Sequence, residues 1–120
     1  MGSLRIIQIT DFHLAADSAR VLRQINTDHS LRRVLAHISA HEPHCALLLA
    51  TGDLADDGSP QAYQRIATYL RQADIPICCL PGNHDDAVVM ARRLTDLGIN
   101  TLQTVNLDGW RLIPLDSTVG

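Results

Sequence analysis

Apolar runs that each end in a short polar loop constrain this chain more than any other feature. Leu4–Thr10 leads into Asp11-Phe12-His13, Cys45–Thr51 into Gly52-Asp53, and Ile75–Leu80 into Gly82-Asn83-His84-Asp85. Helical patterns separate the runs, and strands alternating with helices imply parallel pairing. The carboxyl ends of parallel strands share one edge, where open α/β sheets hold their ligands. The three loops are therefore expected to converge, bringing carboxylates, imidazoles and a carboxamide together.

The helical patterns can be placed in the same way. Thr27 or Asp28 is the expected N-cap of a helix with Leu31, Val34, Leu35 and Ile38 inward, stopped by Pro43. The near-continuous apolar run His44–Thr51 predicts a strand buried on both faces. Ser59-Pro60 reads as an N-cap with proline at the first helical position, and Tyr63, Ile66, Ala67 and Leu70 as the buried side. Asp86 is expected to cap a third helix, with Val89, Met90, Leu94 and Leu97 inward and Gly98 closing it. Asp108-Gly109 then predicts a hairpin between Thr104–Leu107 and Trp110–Leu115, with Pro114 placing the last strand at an edge or bulge. The expected order is βαβαβα followed by ββ: a layered α/β fold with a mostly parallel sheet flanked by helices. At 120 residues the chain is expected to form a single domain, 1–120.

Charge and cysteine content exclude some functions. The net charge of −3 argues against a nucleic-acid partner or an anionic membrane surface. Arg32-Arg33 and Arg92-Arg93 are isolated pairs read as solvated helix faces. Cys45, Cys78 and Cys79 all fall in apolar runs and read as reduced, buried thiols. No segment approaches the length of a membrane span, and the first residues lack the basic start and long apolar run of a secretion signal. A cytoplasmic location is expected. Met1-Gly2-Ser3 reads either as native sequence or as a cloning remnant.

The loops carry the chemistry. Asp11 and His13, two apart in an extended loop, point the same way and can grip one cation; alone, the pair also fits a turn-capping carboxylate beside a surface histidine. Asp53 follows a glycine and can bridge two metals, or serve an Asx turn or helix cap. Asp56 and Asp57 read as a solvated turn, with support of the site as the functional alternative. Asn83 offers a neutral oxygen ligand, His84 a proton or hydrogen bond to a phosphoryl oxygen, and Asp85 a partner to orient His84. Asp11, Asp53 and Asp85 crowding one sheet end repel unless a cation neutralises them. The chain has no lysine, and no arginine lies within these loops, so a divalent metal is the expected counter-charge. His37 and His41, four apart on a helix, read as surface residues.

Together, Ile9–Leu14, Ala50–Asp56, Pro60–Tyr63, Leu80–Asp85 and Leu115–Thr118 resemble the calcineurin-like metallophosphoesterase superfamily, and within it the class III cyclic-nucleotide phosphodiesterases. The resemblance implies an αββα sandwich of which this chain supplies half. It also implies two divalent ions (iron, manganese or zinc). Asp11 and His13 would bind the first, Asp53 bridge, and Asn83 bind the second. A metal-bridged hydroxide would attack phosphorus in line, with His84 and Asp85 in catalytic roles and a cyclic nucleotide or other phosphodiester as substrate. Family members are about twice as long, and their second half supplies three further histidine ligands. The alternatives left open are a truncated, non-catalytic form with weak metal binding and a different phosphoesterase of the superfamily. An apolar face left uncovered predicts a homodimer or higher oligomer.

Overall fold

The computed structural model describes residues 4–118; Met1-Gly2-Ser3 lie outside them. In chain order the elements are β1 (Ile6–Ile9), β2 (Val21–Leu22), β3 (Ile25–Asn26), α1 (Thr27–His41), β4 (Leu47–Thr51) and α2 (Pro60–Gln72). They continue with β5 (Ile77–Leu80), α3 (Ala87–Asp96), β6 (Asn100–Thr101), β7 (Val105–Leu107) and β8 (Trp110–Leu112). A parallel sheet in the order β1-β4-β5-β6 forms the frame. Ile6 pairs with Leu47, Leu48 with Ile77 and Cys78 with Asn100.

Strand order that never doubles back, joined by right-handed crossovers, places every crossover helix on the same side. The packing agrees. Ile7, Ile9, Leu48, Ala50, Ile77 and Cys79, at alternating strand positions, join one core with Leu31 and Leu35 of α1, Ile66 and Leu70 of α2, and Met90 and Leu94 of α3. Each fully buried leucine of this kind contributes roughly 1.5–3 kcal/mol. The opposite face carries Leu47 and Cys78, both buried, beside the more open Ile6. Here the chain after β6 supplies cover, with the Cys78 thiol 4.0 Å from the Gln103 carbonyl.

The expected helices form where capping and periodicity placed them, with corrections at α1. Its N-cap is Asn26, whose side chain accepts the His29 N–H at 2.8 Å, rather than Thr27 or Asp28. Asp28 is instead buried and bound by Arg65 through Nε (2.8 Å) and an η nitrogen (3.0 Å), and by the Tyr69 hydroxyl (2.7 Å). The same guanidinium reaches the carbonyls of Ala15 and Ala16. Val34 is exposed because it faces away from the sheet beside β3. Ser59 and Asp86 cap α2 and α3 as expected.

Two elements have no counterpart in the sequence reading: the short edge strand β6 and the β2–β3 hairpin. The β7–β8 hairpin forms around Asp108-Gly109 as expected, but β8 ends at Leu112, so Pro114 lies beyond the strand. Cys45, Cys78 and Cys79 are free, buried thiols. No described helix is long and apolar enough to cross a membrane.

The Asp28–Arg65 pair yields a test. Arg65→Met leaves a buried carboxylate without its cation and should cost about 3 kcal/mol. Asp28→Leu with Arg65→Met should recover much of that loss, as read from urea denaturation midpoints.

Candidate metal centre

The three loops meet at the carboxyl edge of β1, β4 and β5, and backbone bonds continue the strand pairing beyond the strands themselves. Asp11 N–H donates to the Gly52 carbonyl (3.0 Å), His13 N–H to Asp53 (2.9 Å) and Leu14 N–H to Leu54 (3.0 Å), while Asp56 N–H returns to Leu14 (2.7 Å). Between these bonds Asp11, His13 and Asp53 take φ of 62°, 52° and 50°. Left-handed backbone at a residue bearing a Cβ costs of order 1–2 kcal/mol and persists only where the surroundings enforce it. Three candidate ligands thus share the same unusual backbone state.

The side chains converge. Ligand atoms of Asp11, His13 and Asp53 lie within 4.8 Å of one another, and so do those of His13, Asp56 and His84. His13 Nδ1 lies 3.0 Å from Asp56 Oδ1, and its Nε2 lies 3.5 Å from Asp11 Oδ1. A proton on Nδ1 donates to Asp56 and leaves the Nε2 lone pair facing the Asp11 carboxylate. This is how a carboxylate behind a histidine prepares it as a metal ligand. Asp53 Oδ1 accepts the His84 N–H at 2.9 Å. One end of the Asn83 carboxamide lies 3.2 and 3.3 Å from the two Asp53 oxygens. With nitrogen there it donates to Asp53; with oxygen there, three acceptors converge, and a cation between them satisfies all three. Carboxylate, imidazole and carboxamide donors of this kind fit a divalent ion.

Close packing fixes Asp53. A Cβ on Gly82 would stand 2.3 Å from Asp53 Oδ1 and 2.4 Å from its backbone nitrogen, so only glycine lets the loop after β5 lie against Asp53.

Asp85 departs from the sequence reading. Its carboxylate accepts from Leu54 N–H (3.2 Å), Ala55 N–H (2.9 Å), Gly82 N–H (2.8 Å) and the Tyr63 hydroxyl (2.7 Å). These donors draw it under the loops, so it does not orient His84, and they stabilise its charge where a cation was expected to. The residue beside the His84 ring is Asp56: His84 Nδ1 lies 3.3 Å from the Asp56 carbonyl and 3.6 Å from its Oδ1. Asp56 is also 2.5 Å from Arg20. An arginine therefore does reach the loops, but it compensates Asp56 rather than Asp11 or Asp53. Asp56 is the residue that sequence reasoning undervalued, because its partners His13 and Arg20 lie far away in the chain. Asp57 holds the turn, accepting from Ala16 N–H (2.9 Å) and Ser59 N–H (3.1 Å). Burial pushes its carboxyl up, and these donors outweigh that and hold it below its ordinary value. His37 and His41 stack on the exposed face of α1, away from the loops.

Residues 4–119 match the family model of calcineurin-like phosphoesterases. The chain belongs to the calcineurin-like phosphoesterase family. Its relatives include a 3',5'-cyclic-nucleotide phosphodiesterase of Nostoc sp., 37% identical over 97% of this chain and 44% of that protein. The 3',5'-cyclic adenosine monophosphate phosphodiesterase CpdA of Escherichia coli is 41% identical over 97% of this chain and 42% of its own. CpdA of Pseudomonas aeruginosa is 33% identical, over 98% and 43% respectively. The chain thus spans less than half the length of these relatives. The parallel sheet with helices on one face is consistent with half of the calcineurin-like phosphoesterase fold, and the Asp and His groups at its edge could hold a metal.

Two outcomes follow from this packing. Gly82→Ala should displace Asp53, destabilise by about 1–3 kcal/mol and weaken Mn²⁺ binding at least about tenfold, as measured by titration calorimetry. The buried Tyr63 hydroxyl is held far above the usual tyrosine range, first by burial and then by its bond to Asp85 and that group's charge. A raised acid contributes its stability in full below the unfolded value near pH 10 and loses it as pH rises beyond. Buried Cys79, also raised by desolvation, acts in the same direction. Tyr63→Phe should therefore flatten the alkaline loss of stability between about pH 9 and about pH 11 relative to the unaltered chain.

Proposed function

We propose that this chain carries part of the catalytic centre of a metal-dependent phosphodiester hydrolase whose substrate class is 3',5'-cyclic nucleotides. One observation carries the reading: Asp11, His13 and Asp53 present ligand atoms to a common point, each held in a strained backbone state. The names of the relatives support the substrate class.

In this reading Asp11, His13, Asp53 and Asn83 would hold two divalent ions, with Asp53 shared between them; iron, manganese and zinc would suit these donors. Bound ions would supply a water acidified toward neutral pH and positive charge for the phosphoryl oxygens. The remaining work falls to protein groups. Asp56 keeps the Nδ1 proton on His13, so that Nε2 stays available as a ligand. His84, half exposed, carries its Nδ1 proton toward the Asp56 carbonyl, which aims Nε2 outward at the substrate. With Nε2 protonated as well, that nitrogen donates to a phosphoryl oxygen or delivers its proton to the departing one. Asp85 is the positioning residue that holds two of the three ligand-bearing loops, those after β4 and β5. Residues 1–120 act as one folded unit, the amino-terminal portion of a cytoplasmic hydrolase domain. Exposed Trp110, Ile113 and Leu115 on and after β8 support self-association as a homodimer or higher oligomer.

Elemental analysis of chelator-free protein, together with hydrolysis of an aryl phosphodiester, tests the reading. Asp53→Asn should lower turnover at least about a hundredfold and reduce bound metal. His84→Ala should lower turnover while metal content persists. Metal bound without turnover would favour the non-catalytic alternative; full activity in both variants would end the assignment.

A further inference from the structure

A cavity of about 400 Å³ opens beside Asp11 and His13, both of which contribute to its wall. Its apolar wall is Ile9, Phe12, Leu22, Ile25, Leu31 and Val34, drawn from β1 and the loop after it, the β2–β3 hairpin and α1. Thr10, Arg23, Thr27 and Ser30 complete the lining beside Asp11 and His13. A concave, mostly apolar space of roughly 300–1,000 Å³ with a few polar groups is what small organic ligands occupy. The hairpin above it is strained as well. Its two turn residues, Arg23 and Gln24, have φ of 49° and 69°, a geometry that normally favours glycine or asparagine. Side chains are thus retained where glycine would be easier, and Arg23 is placed at the cavity.

We propose that this cavity binds the nucleobase of the substrate, a planar aromatic heterocycle, and that the β2–β3 hairpin sets base specificity. The assignment rests on the hydrolase reading for the position of the phosphate, since Asp11 and His13 belong to both places. A phosphate held at those ligands projects its nucleoside into the adjoining space. The aliphatic walls suit the ring faces, Thr27 and Ser30 suit ring nitrogens and exocyclic groups, and Arg23 suits stacking over the π system. With one cation in the wall, the cavity is a poor place for a second phosphate.

The full chain, methyl-labelled for NMR, decides this with adenosine as the probe. Adenosine without phosphate or metal should shift the Ile9 and Leu22 methyls saturably, and ribose alone should not. Ile25 and Val34 are 55% and 43% exposed, so Ile25→Asp and Val34→Asp should both keep the fold. Each should weaken adenosine binding about tenfold by placing a carboxylate against the ring. Unmoved methyls, equal shifts with ribose, or unchanged affinity in both variants would overturn the proposal. Inorganic phosphate with Mn²⁺, followed at His13, tests the metal centre separately. Failure there with adenosine still bound would remove the hydrolase reading and leave the base site standing.

Discussion

The centre depends on the Asp85 carboxylate. Three backbone N–H groups from two loops and one buried tyrosine hydroxyl all donate to it, and together they account for its acceptor capacity. Bonds to a charged acceptor are roughly twice as strong as neutral ones. Each donor left without it would cost about 1–3 kcal/mol. Because Tyr63 is rooted in α2 while Leu54, Ala55 and Gly82 lie past β4 and β5, one side chain fixes two loops to a helix. Asp53 and Asn83 inherit their positions from that junction.

A tight junction makes strain affordable nearby. Asp11, His13 and Asp53 each hold a left-handed backbone, uncommon away from glycine, and the bonds zipping the loop after β1 to the loop after β4 over-determine it. Such strain belongs where side chains must be aimed before a ligand arrives, because ordering them on binding would weaken it. The same state recurs at Arg23 and Gln24, beside the cavity that shares Asp11 and His13.

The elements legible in the sequence were those whose signal is local. Ser59-Pro60, Asp86 and Asp108-Gly109 specify caps and a turn through their own backbone bonds, and the apolar runs specify parallel strands. Convergence of Asp11, His13, Asp53 and Asn83 followed from that topology. What stayed illegible depends on partners distant in the chain. Asp28 resembles an N-cap until Arg65 and Tyr69, far along the sequence, claim it. Asp85 is adjacent to His84, yet adjacency says nothing of direction when Tyr63 and three N–H groups lie the other way. The β2–β3 turn lacks glycine or asparagine, and β6 is two residues long, so neither carries a readable pattern.

Hydrogen-bond saturation separates the aspartates of the converging loops and their supports into two kinds. Asp28 and Asp85 are filled by N–H, hydroxyl or guanidinium donors, Asp57 is held by two loop N–H groups, and all three hold structure. Asp11 and Asp53 stand apart: among the described residues Asp11 accepts the Thr10 hydroxyl at 2.8 Å, and Asp53 accepts the His84 N–H, aside from any contact with Asn83. A carboxylate offers about four lone-pair sites, so these two keep most of their capacity in the space that His13 Nε2 also faces. Asp56 lies between the kinds, with His13 and Arg20 on its oxygens and His84 beside them, which suits a group that prepares ligands without being one. Acceptors gathered with so few donors are under mutual repulsion, and the fold maintains them there through Gly82 and Asp85. Such an arrangement is stable in proportion to the positive charge it can recruit.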